Sequence, residues 1–181
     1  MERNEALRIL READVVLTKA ECDAATTRIA AEIKAKLGEA NPLVLAVMGG
    51  ATVFAGQLLP QLDFPLEFDY LHVTRYGDKL HGGALTWRVE PHAPIAGRTV
   101  LVLDDILDEG ETMAAIRDRL FSLGATTFYN AVFCEKVIAK DKPIRPDFTG
   151  ITVPNRYVFG YGMDVKNWWR NLPAVYAMKG M

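Results

Sequence analysis

Apolar residues in this chain fall into runs of two kinds. Leu43 to Val47 and Thr99 to Leu103 are unbroken and rich in β-branched types, which predicts strands buried on both faces of a parallel sheet. Elsewhere the spacing is helical. Met113, Ile116, Leu120 and Leu123 recur every three or four positions, and Gly124 follows, so the spacing predicts a helix over 112–123 with a glycine stop. Cys22, Ala25, Ile29, Ile33 and Leu37 mark one face of an earlier helix, opened by the capping box Thr18-Lys-Ala-Glu21 and closed by Gly38. After the first strand, Gly49-Gly50 leads into Val53, Phe54, Leu58 and Leu62, a second strand–glycine–helix unit interrupted by Pro60. Residues 64–74 and 84–90 alternate with a period of two and read as strands. Thr127 to Cys134 and Phe148 to Val153 add two more, while residues 4–16 read as a short helix or loop. Strands interleaved with helices predict an α/β fold with a mostly parallel central sheet flanked by helices. At 181 residues a single domain, 1–181, is the default.

Composition narrows the partners. Half the residues are hydrophobic, enough for a sizeable core, and the formal net charge is −2. Nucleic-acid binders carry a basic face, so no nucleic-acid partner is expected. No run of eighteen apolar residues suggests a membrane span, and the charged opening MERNEALRIL is unlike a signal peptide. No membrane partner and a cytoplasmic location follow as expectations. Cys22 and Cys134 sit in apolar periodic segments and are expected to be buried free thiols.

The chemistry concentrates after the second buried strand. Asp104, Asp105, Asp108, Glu109 and Glu111 place five acids in eight residues, with Gly110 and Thr112 among and after them. The turn falls at the carboxyl end of a parallel strand, where open α/β sheets bind ligands. Backbone N–H groups at a helix start hold phosphate, yet the acids alone would repel it. They suit sugar hydroxyls or Mg²⁺, since hard cations take oxygen ligands. A ribose carrying a 5′-phosphate satisfies both halves of the turn.

Val100 to Thr112, VLVLDDILDEGET, closely resembles the phosphoribosyl-pyrophosphate (PRPP) signature of type I phosphoribosyltransferases. Three further blocks resemble the 6-oxopurine (hypoxanthine-guanine) branch in the same order. Val47-Met48-Gly49-Gly50 stands at its pyrophosphate loop, with Met48 in place of a basic residue. Arg75-Tyr76-Gly77 stands at its flexible catalytic loop, with Arg75 where serine is common; a plain hairpin linker is the alternative there. Tyr157-Val158, Gly160-Tyr161-Gly162, Asp164 and Arg170 to Pro173 match its carboxyl-terminal block.

The resemblance implies a core over about 38–153 and a small hood built from about 1–37 and 154–181. It implies purine salvage: a 6-oxopurine base and PRPP give a nucleoside monophosphate and pyrophosphate, with Mg²⁺ as cofactor, in a homodimer or homotetramer. Asp104 and Asp105 would hold the ribose and Mg²⁺, with Asp164 as a further metal contact. Residues Glu109, Gly110, Glu111 and Thr112 would hold the 5′-phosphate. Glu109 stands where threonine or serine is commoner, and both glutamates are expected to point to solvent, as the helix dipole favours acids in a first turn. Asp108 would be the general base, with helix capping as its structural alternative. Lys136, Tyr157 and Val158 would bind the purine; Met48, Gly49, Gly50 and Arg170 the pyrophosphate. A xanthine-preferring enzyme and a non-catalytic PRPP or nucleotide sensor on the same fold are the competing readings.

Overall fold

The computed structural model describes residues 1–75 and 85–180. In chain order its elements are α1 (Arg3–Glu12), β1 (Asp14–Leu17), α2 (Lys19–Leu37), β2 (Leu43–Met48), α3 (Thr52–Leu58), β3 (Glu67–Arg75), β4 (Leu85–Val89), β5 (Thr99–Leu107), α4 (Glu111–Ser122), β6 (Thr127–Lys136), β7 (Phe148–Val153), β8 (Val158–Phe159) and β9 (Val175–Ala177). The large sheet has the order β4-β3-β2-β5-β6-β7. All its pairings are parallel except β3 with β4. This is the expected α/β architecture, with a mostly parallel central sheet flanked by helices.

Strand alternation divides the continuous apolar runs between two layers. Val44 and Ala46 of β2, with Leu101 and Leu103 of β5, pack in the cluster that holds Ile29 and Ile33 of α2 and Phe54 of α3. Leu45 and Val47, with Val100 and Val102, face Met113, Ile116 and Leu120 of α4. A strand covered on both sides has no polar face, which is why these runs are unbroken. The predicted capping box is present: Thr18 N donates to Glu21 Oε2 at 2.8 Å, and Glu21 N donates to Thr18 Oγ1 at 3.4 Å. Pro60 converts the end of α3 into a short 3-10 turn, Leu59–Gln61.

A second, antiparallel sheet has the order β1-β9-β8. Residues 4–16, read as helix or loop, are in fact α1 followed by the start of β1. Helix α2 packs on β7 and α3 of the large sheet, so the small sheet draws only residues 14–17 from the amino-terminal segment. The two sheets share one apolar cluster, in which Val158, Val175 and Ala177 join Cys22 and Phe133. Tyr161 fastens the join: its ring lies 4.0 Å from that of Phe133, and its hydroxyl hydrogen-bonds with that of Thr26 at 2.9 Å. Both cysteines are free and buried, as composition predicts.

Gly162 sits at the same join with φ of +103°. A Cβ there would strike the Gly50 carbonyl and reach within 3.4 Å of Asp105 Cβ. Gly162→Ala combines a left-handed backbone with a backbone clash, and strain of this kind costs of order 1–3 kcal/mol. A urea titration of the variant should show a lower midpoint with an unchanged slope; an unchanged midpoint would show that the two sheets are not held apart by this contact.

Candidate active site

Strand β5 continues four residues past its apolar half, to Leu107. Asp104 and Asp105 therefore lie in the strand, not in the turn the sequence suggests, and Asp104 stands in register with Val132 of β6. Both side chains reach the same cleft at the strand end. Asp105 is buried beside Gly50, Gly162 and Arg170. Asp104 lines the floor of a cleft of about 550 Å³ that also takes in Met48, Gly49, Gly50, Asp105, Asp108, Lys136, Tyr157, Val158, Asp164 and Arg170. A second hollow of about 330 Å³ adjoins it, formed by Asp104 and residues 106–113, including Glu109, Gly110, Glu111 and Thr112. Residues spread from 48 to 170 are thus brought to one end of the sheet. Of the remaining candidates, Arg75 ends β3, and Tyr76 and Gly77 lie outside the described residues.

Gly110 opens α4 with φ of +82° and no side-chain cap. Asp108 does not cap this helix; its Oδ2 accepts from Lys136 Nζ at 2.6 Å. Lys136 is the last residue of β6 and its side chain is 13% exposed, whereas that of Asp108 is 51% exposed. Glu109 and Glu111 face outward and lie 3.9 and 3.4 Å from Lys140 Nζ, a partner on the β6–β7 loop that nothing in the sequence marks.

The double glycine after β2 has two separate causes. A Cβ at Gly50 would fall on the Asp105 carboxylate, so this glycine makes room for a neighbouring side chain while its backbone lines the cleft. Gly49 faces open space within 4 Å, and the Met48–Gly49 peptide is cis. Opposite, Arg170 Nη2 lies 2.5 Å from Asp164 Oδ1, and Nη1 donates to the Gly162 carbonyl at 2.7 Å and lies 3.8 Å from Asp105 Oδ2. Asp164 Oδ2 also accepts from Asn167 N at 2.7 Å. Tyr157 is 41% exposed over the cleft, with its hydroxyl donating to the Asp164 carbonyl at 3.3 Å. Trp169 Nε1 donates to the Ala6 carbonyl at 3.0 Å, and Lys166 Nζ meets Glu5 Oε1 at 2.9 Å, so α1 backs this segment.

Burial, and then the charge of Asp105, push the Asp104 carboxyl well above the ordinary carboxylate range. Burial raises Asp105 as well, against the lowering pull of the Ile106 N–H and the Arg170 guanidinium. Two desolvated neighbouring carboxyls favour a proton or a cation between them. Asp164 is close enough for its charge to oppose ionisation of Asp105. Mg²⁺ keeps most of its shell as water and substrate oxygens and needs only one or two carboxylates, so Asp104 and Asp105 fit it. Among the described residues no group of three acids, histidines or cysteines is placed to hold a metal ion by itself.

Residues 14–166 match the family model for the phosphoribosyl transferase domain. A relative, the hypoxanthine-guanine-xanthine phosphoribosyltransferase of Tritrichomonas foetus, is 38% identical over 154 residues, 83% of each chain. A solved structure described as a hypoxanthine-guanine-xanthine phosphoribosyltransferase superposes with a TM-score of 0.83 at 32% identity, covering 92% of this chain and 96% of that one. A hypoxanthine phosphoribosyltransferase from Staphylococcus aureus shares the fold, with a TM-score of 0.89 at 22% identity over 98% of this chain and 97% of its own. This chain belongs to the phosphoribosyltransferase family and is an enzyme of that class.

The raised carboxyls carry a sign. A folded-state pKa above the unfolded one means the native protein binds more protons across that interval. Stability then falls as pH rises from the ordinary carboxylate value through the raised one. Asp104→Asn removes the titrating charge and should raise the melting temperature of the ligand-free protein at pH 7.5 by roughly 2–6 °C, about 0.5–2 kcal/mol. Its advantage over wild type should shrink on acidification. A variant melting at or below the wild-type temperature at pH 7.5 would show that Asp104 is not destabilising when ionised.

Proposed function

We propose that this enzyme transfers the 5-phosphoribosyl group of PRPP to hypoxanthine or guanine, giving the 5′-monophosphate and pyrophosphate. The Asp108–Lys136 pair at 2.6 Å carries the reading. It sets an acceptor beside a donor at the ends of neighbouring parallel strands, over which Tyr157 stands. A 6-oxopurine with its proton on N7 presents the complementary edge, an N–H beside a carbonyl. An ammonium donates and never accepts, so it suits the oxygen at position 6 and opposes the amino group of adenine.

As N9 attacks carbon 1 of the ribose, the bond to pyrophosphate breaks. Positive charge grows on the sugar ring and negative charge on the leaving group. On this reading the carboxylates of Asp104 and Asp105 stabilise the first, and the guanidinium of Arg170 the second. Asp108 accepts the N7 proton that an N9-linked purine must lose. Tyr157 stacks on the base, and Val158 offers backbone groups toward position 2. The N–H groups of 109–112 and the Thr112 hydroxyl suit the 5′-phosphate, and the open side of Gly49 suits pyrophosphate. Mg²⁺, held by Asp104 and Asp105 with Asp164 as an outer contact, supplies charge neutralisation on the pyrophosphate when bound. No helix among the described residues is long and apolar enough to cross a membrane, which supports a cytoplasmic enzyme; the family resemblance supports a homodimer or homotetramer. Xanthine is the second reading for the base, favoured by the name of the 38% identical relative.

A spectrophotometric assay with PRPP, Mg²⁺ and each base in turn tests this. Turnover of hypoxanthine and guanine should exceed that of adenine by at least about 10²-fold; sites built to hydrogen-bond one group reject an analogue lacking it by as much as about 10⁴–10⁵-fold. Adenine used as well as hypoxanthine would remove Lys136 from base recognition, and dominant use of xanthine would replace the primary substrate. Asp108→Asn should lower kcat by roughly 10²–10⁴-fold, the usual worth of general-base assistance. A variant as fast as wild type would take Asp108 out of the mechanism.

A further inference from the structure

Lys142 lies six residues beyond Lys136, in the loop that returns from β6 to β7. It does not line either hollow, yet its side chain is only 9% exposed. Its ammonium donates to the carbonyl of Lys136 at 2.6 Å, to the carbonyl of Leu107 at 3.3 Å and to Glu135 Oε1 at 3.3 Å. Leu107 is the residue before Asp108. One ammonium therefore ties together the backbone at the two strand ends that carry the Asp108–Lys136 pair. Charge-assisted bonds of this kind are the stronger class, and the three acceptors match the three donors of a lysine.

The loop is itself fixed. Asn130 N donates to Asp147 Oδ2 at 2.9 Å, Asp147 N donates to Asn130 Oδ1 at 3.1 Å, and Asn130 Nδ2 donates to the Arg145 carbonyl at 3.3 Å. This reciprocal lock holds the loop's far end. Its middle packs on the start of α4, where the position of a Cβ on Gly110 lies 3.3 Å from the Ile144 carbonyl and 3.4 Å from Lys142 Cβ.

We infer that Lys142 is a positioning residue that fixes the spacing of Asp108 and Lys136 and so tunes recognition of the base. The inference rests on the proposed activity. Lys142→Met keeps the stem beside Gly110 and removes the three hydrogen bonds. The KM for hypoxanthine should rise about 10-fold or more and kcat should fall, while the KM for PRPP stays within about twofold, because the phosphate side keeps its packing. Such a shift of one kinetic constant follows from small misplacement of reacting groups. Lys142→Arg should recover part of the loss. In a Lys136→Ala background Lys142→Met should add little to the base KM, since residues acting through one another are non-additive.

Equal increases in both KM values, additive losses in the double variant, or unchanged kinetics in Lys142→Met would each overturn the inference. Wild-type protein that turned over no base would end the proposed activity instead. The inference would then be decided by the Lys136 Nζ to Asp108 Oδ2 separation in crystals of Lys142→Met. A gap beyond hydrogen-bond reach supports it, and 2.6 Å retained overturns it.

Discussion

The carboxyl group of Asp105 is the point on which the architecture closes. It leaves the central strand of the large sheet, rests where Gly50 lacks a side chain, and faces Gly162 and Arg170 of the tail. Burying an anion is unfavourable unless it is paired and hydrogen-bonded. Here its Oδ1 accepts from the Ile106 N–H at 2.7 Å, and a guanidinium stands 3.8 Å from its Oδ2. The arrangement requires glycine on both sides and an arginine across the gap. Three segments distant in sequence, the turn after β2, the end of β5 and the carboxyl-terminal tail, therefore take their relative positions from one side chain.

The same carboxyl belongs to a site whose ligand-free charges are poorly solvated. Asp104 and Asp105 compete for the same proton-poor space, and Asp108 and Lys136 are spent on each other. Such arrangements trade stability for readiness. A cation and the proposed substrate would resolve both tensions, supplying positive charge to the first pair and a matched polar edge to the second. The cleft residues gather at the carboxyl ends of β2, β5 and β6, where the sheet opens, and the apolar layers lie below.

Much of this was legible in the residues. The unbroken runs of β2 and β5 announced double-sided burial, and the three- and four-residue spacing of α2 and α4 announced their faces. The acid-rich stretch from the end of β5 into the turn marked the cleft, because five carboxylates in eight residues are more than a helix start asks for. The short strands β1, β8 and β9 were not legible; two to four residues are too few to show a period, and their pairing is long-range. Nor was the extent of β5, since Asp104 and Asp105 look like turn residues until the register with β6 is known. The contact of Gly50 with Asp105 was hidden for a related reason: the sequence shows that a side chain is missing but not which neighbour fills the space. Nothing in the sequence singles out Lys140 and Lys142, because their acceptors are backbone carbonyls and acids 6 to 35 residues away.

The bonds from Trp169 to Ala6 and from Lys166 to Glu5 give α1 an unexpected station. The first helix of the chain is a splint behind the turn that aims Asp164 and Arg170. A purification handle or fusion partner attached ahead of Met1 is therefore only a few residues of leverage from the turn that carries Asp164 and Arg170. The placement of a tag is not a neutral choice for an enzyme built this way.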